Sequence, residues 1–233
     1  MNKLGPKFWL LSLAVAILGT IGLLAYRELR PAVDRSARVW EWLRRPGKHP
    51  DWAVQGGQRC GSAPFILPTD GFVGYVWGDI FRLGHRHQGL DIFGGGEVNV
   101  TPVIAAFSGY LSRRPDWKSS LIIRIPSDPL QPERQIWTYY THMADPEGLS
   151  LIAERFPPGV EEVFVSAGTL LGYQGNYSGN PDNPVGVHLH FSIVKDDGHG
   201  SYLNELKINN TLDPFPYLGL SDAGGIPRCA AQP

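Results

Sequence analysis

The chain has 233 residues, with 21 Lys plus Arg against 22 Asp plus Glu and a formal charge of −1. One domain of about 150 to 180 residues with a short appendage fits that length, and two full domains do not. The near-balanced charge leaves no positive field to gather a nucleic-acid backbone, so nucleic acid is excluded as a partner.

At the N-terminus, residues 8–26 (FWLLSLAVAILGTIGLLAY) run without a charge. A helix of that length, rising about 1.5 Å per residue, nearly spans the hydrocarbon layer of a bilayer. Trp9 and Tyr26 stand at its ends, with Lys3, Lys7, Arg27 and Arg30 flanking it, as interfacial aromatic rings and snorkelling charges do. No small-x-small cleavage site follows, so an uncleaved transmembrane anchor is expected ahead of a cleaved signal peptide or a buried core helix. Arg27, Arg30, Arg35 and Arg38 follow the run, and the positive-inside rule would put them in the cytoplasm. Large domains are nevertheless exported despite such charges, and a suspected disulfide favours an extracytoplasmic domain, at the cell surface or in the periplasm.

Residues 31–60 read as a juxtamembrane linker. The stretch VDRSARVWEWLRR (33–45) suits either an anionic lipid surface or solvent, and Pro46, Gly47 and Pro50 interrupt the chain after it. Beyond Cys60, β-rich runs recur between Gly, Pro and Asn: GYVWG (74–78), TPVIAAFSGYLS (101–112), SLIIRIP (120–126), QIWTYYTHM (135–143), EVFVSAGTLLGYQG (162–175) and VHLHFSIV (187–194). With 28 glycines and 20 prolines, they predict an all-β domain of antiparallel sheets behind one N-terminal helix. Cys60 and Cys229 bracket the globular part without Cys-x-x-Cys spacing. A disulfide between them is expected over two unrelated thiols, and a cysteine-ligated metal is not.

Seven histidines are present. His188 and His190 are two apart in a strand-like run, so they share a face with α-carbons roughly 6 to 7 Å apart. His87 and Asp91 bracket Gly89; in a straight strand they would stand about 13 Å apart, so ligation of one ion demands a bend, which glycine permits. Two imidazoles and a carboxylate with a fourth position open form a standard catalytic zinc set. His49 and His199 lie in polar, breaker-rich stretches that suit solvated side chains.

Taken in order, HQGLDI (87–92), TPVIAAFSGYLS, YYTHM (139–143), GTLLGYQGNYSG (168–179) and VGVHLHF (185–191) resemble the lysostaphin/LytM-type zinc endopeptidases that cut bacterial cell-wall peptides. The likeness extends from about Gly71 to Leu218, with DPFPYL (213–218) as its close. It implies one Zn2+ per chain held by His87, Asp91 and His190, with His142 and His188 as catalytic imidazoles and His85 at the rim. It also implies hydrolysis of peptidoglycan peptides by water activated on the metal, in a narrow groove with glycine-rich walls. Two departures, GGGEVNVTPV (94–103) and the long segment 144–166, are expected to alter the groove rim. The expected organisation is an anchor at 1–30, a linker at 31–60, the peptidase domain at 61–220 and a tail at 221–233 carrying Cys229. Two other readings remain, a non-catalytic peptidoglycan-binding or amidase-activating module of the same fold, and a membrane protein whose outer domain only docks a partner.

Overall fold

The computed structural model describes residues 6–80 and 84–230, without the side chains of 6–12, 14, 28, 29, 31, 32 and 223. Lys3 and the side chains of Lys7 and Trp9, expected at one membrane interface, lie outside the described residues. The elements are helix α1 (Pro6–Arg44), strands β1 (Ala53–Val54), β2 (Gly71–Tyr75), β3 (Leu90–Phe93), β4 (Pro102–Ile104), β5 (Gly109–Ser112), β6 (Leu121–Ile125), β7 (Ile136–Thr141), β8 (Val163–Val165), β9 (Leu170–Tyr173), β10 (Leu189–Lys195) and β11 (Thr211–Leu212), then helix α2 (Phe215–Leu218) and strands β12 (Leu220–Ala223) and β13 (Ile226–Cys229).

Nine strands form one antiparallel sheet in the order β1-β2-β3-β10-β7-β6-β5-β8, with β11 pairing β10. β4 and β9 form a second, two-stranded sheet across the core, so the expected antiparallel all-β body is present. β6 and β7 lie in mid-sheet with almost every side chain buried. Tyr140, Ile123 and Phe191 face the main core, while Ile122, Trp137, Tyr139 and Val194 face a second cluster capped by Trp117 and Tyr202. That two-sided burial is why those strands read as continuous apolar runs rather than alternating ones. The buried Tyr140 hydroxyl accepts from the Ala106 N–H at 2.9 Å.

Two of the expected strands are each two strands. TPVIAAFSGYLS divides into β4 and β5, and EVFVSAGTLLGYQG into β8 and β9, the members of each pair belonging to different sheets. GYVWG is displaced: β2 ends at Tyr75, and Val76 to Asp79 form a turn closed by Asp79 Oδ2 accepting from the Val76 N–H at 2.9 Å.

The segment expected to be a linker is structured. α1 continues through Pro31, whose missing N–H removes one intrahelical bond, to Arg44. Its last turns lie on the β2–β3 edge with Val39 and Trp42 buried beside Phe72 and Phe93. Trp42 Nε1 donates to the Phe93 carbonyl at 2.7 Å, and Ser36 and Tyr75 share a hydroxyl hydrogen bond of 2.9 Å. Arg35, 8% exposed, forms ion pairs with Asp79 at 3.0 Å and with Asp222. The apolar face of 33–45 is therefore occupied by protein rather than by lipid headgroups or water. His49 is likewise not simply solvated, because its ring stacks on Trp52 with centroids 3.9 Å apart, whereas His199 is exposed.

Among the described residues no helix is long and apolar enough to cross a membrane, so the expected transmembrane span has no support from the fold. Residues 8–26 fall within α1, where Leu13, Val15, Ile17, Leu18, Ile21, Leu23 and Leu24 are all exposed.

At the other end, the expected tail is the β12–β13 hairpin, paired from Leu220↔Cys229 to Ala223↔Ile226. The Cys60–Cys229 disulfide is formed, with α-carbons 5.1 Å apart across a sequence separation of 169. Closing so long a loop stabilises the fold by about 5 kcal/mol in the chain-entropy treatment. It also ties down the hairpin whose Asp222 receives Arg35.

Candidate active site

Three chain segments bring His87, Asp91 and His190 together. Asp91 on β3 and His190 on β10 are direct cross-strand partners, and the next strand places Thr141 opposite His190. His87 precedes β3 in a turn fixed at both backbone ends, its N–H donating to the Asp79 carbonyl and its carbonyl accepting from the Gly78 N–H, each at 2.8 Å. The required bend is present, but Gly89 makes it without a positive φ. What demands glycine there is close approach: a Cβ would stand 2.3 Å from the Phe191 carbonyl oxygen of β10.

Asp91 Oδ1 lies 2.8 Å from His190 Nδ1 and 3.1 Å from His87 Nε2, and the two imidazole nitrogens are 3.1 Å apart. His87 Nδ1 donates to the Val76 carbonyl at 3.1 Å. A carbonyl only accepts, so this bond puts the ring proton on Nδ1 and leaves the Nε2 lone pair directed at the carboxylate. Lone pairs at such separations repel unless a cation lies among them. Tetrahedral zinc with bonds of about 2.0 to 2.1 Å sets its ligand atoms roughly 3.3 Å apart, close to this spacing. Among the described residues, these three form a group of His, Cys, Asp or Glu able to hold a metal ion. The donor set thus fits zinc.

His188 and His142 flank the triad. His188 Nδ1 donates to the Gly186 carbonyl at 2.6 Å, its ring stacks on Phe93 at 4.9 Å, and Nε2 points to Asp91 Oδ1 at 3.6 Å. His142 Nδ1 donates to the Tyr177 carbonyl at 2.7 Å. The rings of His142 and His188 have centroids 4.4 Å apart. His142 has φ +69, a left-handed conformation uncommon outside glycine, and backbone strain of that kind gathers at functional sites.

The electrostatic surroundings differ from group to group. Burial would raise the Asp91 carboxyl, but the His87, His188 and His190 imidazoles outweigh it and hold Asp91 well below the usual carboxylate range. Burial pushes His87 down, yet the Asp91 charge and hydrogen bond leave it above the ordinary imidazole value. For His190 burial prevails and the net shift is downward. Burial, reinforced by His188, pushes His142 down to about 3, so it is a neutral imidazole at physiological pH.

All five residues border one groove of about 390 Å³. The expected glycine-rich walls are absent from it: Gly186 is its one described glycine, and Val39, Trp40 and Leu43 of α1 with Tyr75, Phe93 and Val185 make the rest of the lining. Neither 94–103 nor 144–166 borders it, so those departures do not form the described rim. The first instead lies against α1, where a Cβ on Gly95 would meet Trp42 Nε1 at 3.1 Å. His85 borders a separate cleft with Gln88 and Leu206 to Asn210. The Val76, Tyr177 and Gly186 carbonyls that orient the histidines leave no sequence signal, since any residue type supplies a carbonyl. Asp79 could have been found as a turn-forming aspartate after WG.

No protein-family model and no curated protein matches the chain. Solved structures similar to it include the catalytic domain of the antimicrobial peptidase lysostaphin from Staphylococcus simulans, 20% identical, covering 62% of this chain and 89% of that one with a TM-score of 0.41. Lysostaphin itself, a longer chain, is 21% identical with a TM-score of 0.40; the match covers 63% of this chain and 48% of lysostaphin, so this chain spans about half its length. A variant of the catalytic domain of the prophage-encoded M23 protein EnpA from Enterococcus faecalis is 21% identical, covering 62% and 91% of the two chains with a TM-score of 0.37.

Proposed function

We propose that the chain is a zinc-dependent endopeptidase that hydrolyses peptide bonds in bacterial cell-wall peptidoglycan, with one Zn2+ held by His87 Nε2, Asp91 Oδ1 and His190 Nδ1. The observation that carries this reading is the convergence of two imidazole nitrogens and a partly buried carboxylate oxygen within 3.1 Å of one another in an open groove. Zinc, when bound, supplies a Lewis acid for the scissile carbonyl and makes water nucleophilic near neutral pH.

The protein's own part is proton transfer and orientation. Because His142 and His188 spend their Nδ1 protons on backbone carbonyls, each keeps an Nε2 lone pair available to the groove. One Nε2 can take the proton that water loses on attacking the carbonyl carbon and pass it to the amide nitrogen as the C–N bond breaks. Protonated, the same imidazole stabilises the tetrahedral oxyanion. The two backbone anchors prevent the rings from rotating, so proton transfer needs no rearrangement.

Replacing His142 or His188 with Ala should leave one zinc per chain and lower kcat on the order of 10²-fold or more, as loss of a general acid–base group does. Metal analysis beside peptide hydrolysis checks this; a variant that loses its zinc would show the residue to be a ligand instead. The amidase-activator reading predicts no zinc and no hydrolysis in the parent chain.

We further propose that residues 61–220 form the centre of the catalytic body, onto which α1, β1 and the β12–β13 hairpin pack, and that the apolar run 8–26 anchors it in a membrane with the groove outside the cytoplasm. The anchor rests on the uncharged apolar run itself, whose Leu and Ile side chains are exposed. The disulfide supports an oxidising compartment. The full chain should sediment with membranes and resist extraction by high salt, whereas a chain starting at Val33 should remain in the supernatant. Equal partitioning of the two would remove the anchor from the proposal.

A further inference from the structure

Resting on the reading that His87, Asp91 and His190 mark the reacting centre, we infer that α1 is a wall of the substrate groove and that Trp40 is a specificity-determining residue. It would receive an uncharged, apolar side chain of the peptide beside the scissile bond. The helix separates two tasks along its last turns. Val39 and Trp42 are 5% and 4% exposed and fasten it to the β2–β3 edge, while Trp40, 60% exposed, presents its indole at the same groove as the five histidine and aspartate side chains. Leu43, three residues on, lies on the Trp40 side of the helix and also borders the groove.

Across from the helix, the segment leading into β10 comes nearly to contact. A Cβ on Gly186 would stand 3.5 Å from Phe93 and 3.6 Å from Leu43 Cδ1. Gly186 is also the residue whose carbonyl orients His188. The apolar wall therefore begins beside an imidazole assigned to proton transfer, so a side chain resting on it belongs to a residue next to the bond being cut.

Asp91 is the one Asp, Glu, Lys or Arg among the described lining residues, and the proposed metal neutralises it. A charged substrate side chain placed against Trp40 and Leu43 would lose hydration, and the Arg44 guanidinium 5.8 Å from the indole centroid, being exposed and solvated, would return little of it. An apolar one would exchange water for contact with an indole. The wall is held before substrate arrives, by Arg35 on Asp79 and Asp222 and by the Trp42 bond to Phe93. Little ordering cost is therefore left for binding.

The test uses the full chain in detergent with three blocked pentapeptides: pentaglycine and its variants with one central Leu or Glu. Calorimetry on chelator-treated protein reads binding without turnover, and zinc-loaded protein gives kcat and KM. Wild type should bind the Leu peptide about tenfold more tightly than the Gly or Glu peptide, a discrimination of the size that apolar pockets achieve. Trp40→Ala should lose that preference and raise KM for the Leu peptide about tenfold, while kcat, zinc content and Tm stay near wild type; Trp40→Phe should recover most of the preference. Equal binding of all three peptides by wild type, or an unchanged preference in Trp40→Ala, would overturn the inference. If instead wild type contains no zinc and cuts no peptide, the enzymatic reading fails, and calorimetry still decides the role of Trp40.

Discussion

Replacing His190 with Ala should reduce zinc from one per chain to nearly none and bring peptide hydrolysis to background. His190 Nδ1 is the shared neighbour of the other two donors, at 2.8 Å from Asp91 and 3.1 Å from His87. Without it, two ligands remain where catalytic zinc sites use three. The wild type should lose activity to a chelator and regain it with added zinc, and the variant should not recover. Zinc should also raise the wild-type Tm, because a ligand that binds only the folded state stabilises it by mass action, and this shift should vanish in the variant. A variant that retained both metal and full hydrolysis would refute the ligand assignment.

Trp42→Ala should lower stability by about 3 to 5 kcal/mol, as loss of a large buried aromatic side chain does. For a chain of this size that corresponds to a Tm about 6 to 20 °C lower. The indole is buried between α1 and the β2–β3 edge, and its Nε1 donates to the Phe93 carbonyl, so the substitution creates a cavity and removes a buried hydrogen bond together. Thermal unfolding of the full chain measures the effect, and an unchanged Tm would mean that α1 is not docked on the domain. For the same reason a fragment beginning near Gly57 should be less stable than one beginning at Val33. It would bare Phe72 and Phe93, which are otherwise covered by Val39 and Trp42.

The β-rich body was legible because its strands carry strong propensity and are separated by Gly and Pro, and because β6 and β7 are apolar on both faces. The boundaries within TPVIAAFSGYLS and EVFVSAGTLLGYQG were not legible. Nothing in local composition says that a strand leaves one sheet for another. His87, Asp91, His142, His188 and His190 could be picked out from the HQGLD, YTHM and HLHF patterns, and the structure brings all five to one groove. The reason for Gly89 was misread: the constraint comes from β10, some 100 residues later in the sequence, and not from local backbone freedom.

The docking of α1 was hidden for a physical reason. VDRSARVWEWLRR has the composition of a solvated or lipid-facing helix, with basic side chains distributed around Val39, Trp40 and Trp42. Arg35 turns inward only because Asp79 and Asp222, from distant parts of the sequence, compensate its charge. A buried arginine cannot be distinguished from an exposed one until both of those partners are known.

If residues 8–26 are anchored as proposed, the uninterrupted course of α1 from Tyr26 to Trp40 would make a ruler of the helix. The 14 residues from Arg27 to Trp40 correspond to about 21 Å of helix at 1.5 Å per residue. With its greasy end in lipid, the protein would hold its groove at a set altitude and heading over the bilayer, with a softer point where Pro31 lacks a backbone donor. Any ligand of the groove would then have to come within that fixed reach.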